Sequence, residues 1–197
     1  MQILHPFAGS IQQYNEEIKD PDRYRPSCCP LCQTKHALTA HGFYRRTLVD
    51  RGIDTIIRVR RYLCAFCLRT VSLLPEFALP YFRFSVVVIG LFLVTRLCNG
   101  ETLAAAARTA GLPDMPYQRG QQWIHRFRKQ AAALTAALVS LTRPAAGGDF
   151  VIKALGMFEK TGWIRAHRFL LSELRMHLLG WPGFLAPSGR CRSLRPV

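Results

Sequence analysis

Two short motifs, Cys29-Pro-Leu-Cys32 and Cys64-Ala-Phe-Cys67, constrain what this chain can fold into more than any other feature. Two residues between a pair of cysteines let one tight turn aim both sulfurs at one point. Two such turns supply the four soft ligands of a tetrahedral zinc site. The stretch between the pairs is long for a finger and suits a ribbon, in which a β-hairpin fills the gap. Zn2+ held by Cys29, Cys32, Cys64 and Cys67 is therefore expected. Four thiolates leave no open coordination position, so the ion would be structural. The alternative is two coincidental pairs of buried or redox-active cysteines.

Three cysteines remain, Cys28, Cys98 and Cys191. An odd total suits reduced thiols with a metal better than a disulfide framework, which points to the cytoplasm. Cys28 adjoins a correctly spaced ligand and is read as a bystander. His36 and His41 follow the first knuckle and are read as surface or strand-edge residues. No secretory signal is visible near the start of the sequence. The most apolar run, Phe84 to Thr95, is shorter than the roughly 20 residues a bilayer span needs, so no membrane partner is expected.

Between and after the knuckles the pattern is that of strands. Leu38–Val49, Thr55–Leu63 and Thr70–Leu74 are expected strands, with Asp50-Arg-Gly52 turning the first into the second. In the second strand Ile57, Val59 and Leu63 alternate with Arg58, Arg60 and Tyr62. That alternation predicts one exposed face carrying two guanidiniums and a phenol. Arg45, Arg46 and Arg51 add charge on the neighbouring strand and turn.

Charge gives these arginines weight. Lys and Arg number 27 against 12 Asp and Glu, a net charge of +15 and a pI near 10.2. Such a field implies a polyanionic partner, nucleic acid before membrane. The arginine face is expected to follow phosphates; its bland alternative is a solvated strand face.

Residues 81–144 read as helical. Ser85–Leu97 is apolar almost all round, as a buried helix is. Glu101–Ala110 is alanine-rich, Gly111 to Pro116 is a turn with Asp114 as a candidate cap, and Tyr117–Leu141 is a long basic helix. A short helix, a glycine turn and a longer basic helix have the form of a helix-turn-helix, with a turn longer than the tight version. Arg119, Gln122, Arg126 and Lys129 recur at three- and four-residue steps, as a stripe that reads the DNA major groove requires. An ordinary three-helix bundle with a basic face is the alternative.

The flanks say less. Residues 1–27 read as a leader and linker with at most a short helix near Ile11 to Lys19. Residues 145–197 read as a linker, a helix over Trp163–Leu179 and an irregular basic tail. The segment after Pro144 holds only Asp149, Glu159 and Glu173, too few carboxylates and too short a chain for a two-metal nuclease fold. Asp149 before Phe150-Val-Ile is read as linker rather than as the start of a catalytic strand. No phosphate loop or nucleophile elbow is present. No catalytic residue and no enzyme activity are expected.

The run Cys29-Pro-Leu-Cys32, His41-Gly-Phe-Tyr-Arg-Arg46, Arg58-Val-Arg-Arg-Tyr-Leu-Cys-Ala-Phe-Cys67, Arg69 and Leu74-Pro75 resembles the zinc-binding N-terminal region of bacterial insertion-sequence transposases. It is most similar to the DUF6431-type bacterial proteins, which carry such a ribbon followed by a helix-turn-helix. The resemblance implies zinc on the four named cysteines and DNA binding by ribbon and helices. It also implies glycine just after each second cysteine, where this chain has Gln33 and Leu68.

The expected architecture is α+β: a zinc-ribbon β domain over 28–80, an all-α helix-turn-helix region over 81–144 and a C-terminal helix. The expected function is zinc-stabilised binding of double-stranded DNA without a catalytic domain, through Arg45, Arg46, Arg58, Arg60, Arg119, Gln122, Arg126 and Lys129. Two alternatives stay open. One is a transposase subunit whose catalytic acids come from elsewhere; the other is a protein-interaction module on a structural zinc ribbon. A homodimer or a transposase partner is left open with them.

Overall fold

A computed structural model describes residues 1–7 and 9–180. The architecture is α+β, a four-stranded sheet with six helices among the described residues. The strands are β1 (Gln2–His5), β2 (Leu38–Asp50), β3 (Ile53–Cys64) and β4 (Thr70–Pro75), in the spatial order β1-β4-β3-β2. β2, β3 and β4 are antiparallel; β1 runs parallel to β4, with Gln2 opposite Ser72 and His5 opposite Pro75.

The hairpin is the longest element of the sheet. Asp50 pairs with Ile53, so Arg51 and Gly52 make a two-residue turn, both at positive φ (39° and 80°). That is the turn whose twist matches a right-handed hairpin. A register shift between Ala40 and Phe43 bulges β2 at His41-Gly42, and Gly42 takes the left-handed backbone there.

Residues 1–27, expected as leader and linker, are built into the sheet layer. The helix α1 (Ile11–Glu17) begins with a capping box: the Ser10 hydroxyl accepts from the Gln13 N–H and the Gln13 amide oxygen accepts from the Ser10 N–H. Tyr14 and Ile18 from this segment are fully buried with Leu48, Ile57, Val59, Tyr62 and Phe77. Asn15 takes over part of the free edge of β3, where β4 no longer pairs. Its amide donates to the Ile56 carbonyl at 3.2 Å and its oxygen accepts from the Arg58 N–H at 3.1 Å.

The helices follow as α2 (Val86–Leu97), α3 (Leu103–Thr109), α4 (Tyr117–Leu138), α5 (Phe150–Thr161) and α6 (Trp163–Ser172). α2 is buried nearly all round and forms the centre of the second core with Trp123, Phe127, Leu134, Leu138 and Phe158. Its Gly90 is needed: a Cβ there would lie 2.4 Å from the Trp163 ring, which itself stacks on Phe158 at 4.7 Å. Three expectations change here. Asp149 starts α5, its carboxylate accepting from the Ile152 N–H at 2.9 Å, so the segment read as linker is helix. α6 starts at Trp163 as expected and ends at Ser172 rather than Leu179. Asp114 does not cap α4; Pro116 stands at its N-cap position and no side chain caps it. The expected irregular tail and Cys191 lie outside the described residues.

Two of the contacts that join sheet and helices lie at the tip end of the hairpin. The Ser85 hydroxyl accepts from the Val88 N–H at the start of α2 and donates to the Asp50 carboxylate at 2.6 Å at the end of β2. The hairpin tip rests on the turn between α3 and α4. Gly111 sits there at φ 74°, and a Cβ on it would be 2.7 Å from the Gly52 nitrogen.

Candidate metal centre and basic surface

Both CxxC motifs fold into the same loop. In the first, the Cys29 N–H donates to the Thr34 carbonyl (3.0 Å) and the Gln33 N–H to the Cys29 carbonyl (2.8 Å). In the second, the Cys64 N–H donates to the Arg69 carbonyl (3.0 Å) and the Leu68 N–H to the Cys64 carbonyl (3.0 Å). Each loop needs a left-handed residue just after its second cysteine. Gln33 (φ 62°) and Leu68 (φ 55°) adopt that conformation despite their side chains. The knuckles are therefore regular, and the absence of glycine appears as backbone strain rather than as a different turn.

The loops converge. Cys29 and Cys67 sulfurs are 3.8 Å apart, Cys32 and Cys64 sulfurs 3.6 Å, and all four lie within 4.8 Å of one another. None is in a disulfide. A tetrahedral ion with metal–sulfur bonds of about 2.3 Å has sulfur–sulfur edges of about 3.8 Å. The four cysteines thus fit a metal ion of that size, at the junction of the β2 start and the β3 end. The Thr34 hydroxyl and N–H hold Cys32 down, to about 6, while burial pushes Cys67 up, to about 12. A cation bound among four sulfurs this close would favour their thiolate forms. Cys28 points elsewhere, and His36 and His41 are exposed surface residues.

The eight expected DNA contacts divide. Arg45 and Arg58 are exposed and directly opposite each other on β2 and β3. They flank a cleft of about 300 Å³ shared with Asn15, Glu16, Lys19 and Ile56. Lys19, just after α1, was not foreseen here: a short helix near it was expected, but not the strand residues it meets. Gln122 and Lys129 are exposed on α4, and Arg119 lies with its guanidinium 5.4 Å from the Phe84 ring centre.

Three arginines do otherwise. Arg60 is 5% exposed, its fork donating to the carbonyls of Ile18 (3.0 Å) and Lys19 (2.7 Å) while it stacks on Phe43 at 3.7 Å. Tyr62, expected beside it in solvent, is fully buried with its hydroxyl on the Pro21 carbonyl. The segment after α1 covers this end of the strand face. Arg46 is half-buried and donates to the Leu79 carbonyl. Arg126 donates to the carbonyls of Leu179 (2.8 Å) and Gly180 (2.5 Å), tying the chain after α6 onto α4. Burial lowers the pKa values of both Arg46 and Arg126.

Residues 29–110 match the family model of DUF6431, a domain of unknown function. The DUF6431 match begins at Cys29, the first cysteine of the cluster, and ends after α3. It includes the four cysteines, the hairpin and Arg45 and Arg58, and leaves α4 outside. No curated protein and no solved structure matches the chain. No described helix is long and apolar enough to cross a membrane.

Proposed function

We propose that the chain is a cytoplasmic, zinc-stabilised protein that binds double-stranded DNA and carries no catalytic site of its own. The observation that supports this most is the Arg45–Arg58 pair. Like charges directly across a strand pair repel. Neither guanidinium has an ion pair with a carboxylate among the described residues; Lys19 joins them at the same cleft, where it is paired with the exposed Glu16. Such an arrangement is relieved by an anion, and phosphodiesters are the anions a chain of charge +15 would meet as a polymer. Gln122 and Lys129 on α4 supply a second contact surface, with the long turn before α4 serving as a loose helix-turn-helix. Zn2+ is the metal we assign to the four thiolates, in a structural role. The relation to transposases rests on the sequence resemblance alone.

Duplex affinity against salt tests this reading. Zinc-loaded protein should bind with an affinity that falls steeply as salt rises, and Arg45→Glu with Arg58→Glu should weaken binding at least tenfold at low salt. Binding that is weak and insensitive to salt, or untouched by the double reversal, overturns it.

A further inference from the structure

The knuckles present a surface that neither the metal nor the fold explains. Leu31, Phe66 and Leu68 sit on the two cysteine loops and are 45%, 73% and 74% exposed. Leu31 and Phe66 occupy equivalent places, each just before the second cysteine of its pair. Leu68 is the least expected of the three. It holds a left-handed backbone that glycine adopts without strain, and its side chain is largely unburied in return. The support beneath is stiff: four sulfurs within 4.8 Å and paired backbone hydrogen bonds in each loop. The cysteine loops themselves, Ser27 to Leu38 and Leu63 to Thr70, contain no Asp or Glu, while Lys35 and Arg69 on them are exposed cations.

We propose that Leu31, Phe66 and Leu68 form an apolar wedge that the cysteine knuckles drive between base steps of duplex DNA. The proposal rests on the DNA-binding reading above and adds a deformation of the duplex to it. Exposed apolar side chains on a rigid support, with cations on the same loops, suit a partner with an anionic rim and a stacked apolar interior. Unstacking a step costs energy that side-chain contact with the opened bases offsets, and an aromatic ring such as Phe66 contributes most. An anionic membrane shares the charge but offers no stacked step, and it enters as a rival outcome.

The test uses the full zinc-loaded chain, a duplex carrying a fluorescent adenine analogue, and the variants Phe66→Ser and Leu68→Gly. The wild type should brighten the analogue on binding, which reports unstacking. Phe66→Ser should lose that signal and bind about tenfold more weakly, with an unchanged salt slope. Leu68→Gly should also lose signal while raising Tm, because the left-handed strain is relieved. Variants that bind and unstack like the wild type refute the wedge and leave the DNA-binding reading standing. Wild-type binding without unstacking does the same. Binding to anionic phospholipid vesicles that depends on Phe66, with no duplex binding, refutes both. A Leu68→Gly protein that is less stable than the wild type removes the strain argument and with it the proposal.

Discussion

His177 makes the fold acid-sensitive in a way that can be worked from its contacts. The ring is 1% exposed. Its Nδ1 accepts from the Leu179 N–H at 3.1 Å, and its Nε2 faces the Pro80 carbonyl at 3.3 Å. One nitrogen therefore accepts and the other donates, which only the neutral ring can do. Protonation would set two N–H groups against each other in a buried site that also feels His167, Arg126 and Arg46. Burial first, and these charges second, hold its pKa near 3 against an ordinary 6.5. The unfolded chain then binds the extra proton between those two values, so stability is full above about pH 6.5 and falls as pH drops. At pH 5 the cost is about 2 kcal/mol, and it would be much the same for any folded value below 4. Urea unfolding at pH 8 and pH 5, in the wild type and in His177→Gln, isolates this contribution. Loss of metal at acid pH affects both proteins alike and cancels. The wild type should lose about 2 kcal/mol more than the variant between the two pH values. Equal losses would show that the ring is not held neutral and would refute the assignment.

Other expectations follow from the same packing. Gly90→Ala forces a methyl into the Trp163 ring, 2.4 Å from its nearest atom, and should cost about 1–3 kcal/mol in thermal or urea unfolding. Arg60→Ala should lower stability by about 2 kcal/mol, since it strands the Ile18 and Lys19 carbonyls. Arg58→Ala should leave Tm nearly unchanged and reduce the salt slope of duplex binding by about 1. Reversal of those two outcomes would mean that the buried and exposed arginines had been exchanged. Chelation or Cys64→Ser should release one Zn2+ per chain and unfold the β2–β3 hairpin, read by circular dichroism and metal analysis.

The parts legible in the sequence are those set by local chemistry. Asp50-Arg-Gly52 fixed the hairpin turn, and the three antiparallel strands lie within a residue or two of where alternation put them. The four cysteines meet because each loop is a closed local unit. What escaped was non-local. β1 is four residues long and pairs with a strand some seventy positions away, so no periodicity marks it. Asp149 stood after Gly147-Gly148 and before Phe-Val-Ile, which reads as linker into strand; only the N-cap bond shows it opening α5. Arg60 and Tyr62 share a face with Arg58 as alternation requires, but alternation names a face and not what covers it. The residues after α1 cover two of the three.

The hairpin gives the cysteine centre a reach beyond its own loops. β2 has 13 residues, roughly 40 Å of strand, with the four sulfurs at one end and the Arg51-Gly52 tip at the other. The tip lies against Gly111, and the last residue of β2, Asp50, holds the Ser85 hydroxyl that starts α2. A strand pair clamped at its far end cannot slip by one residue without turning Leu48 and Ile57 out of the core. A metal held by the four cysteines would fix the register of the hairpin; that register fixes where the tip meets the turn between α3 and α4, and the turn sets the start of α4. Arg45 and Arg58 lie on the strands between these two ends, so their opposition is set by the same register. Hairpin and helices consequently hold their cations in one frame, so on the proposed DNA-binding reading removal of a metal from the cysteines should also weaken contacts made by α4, which no cysteine touches.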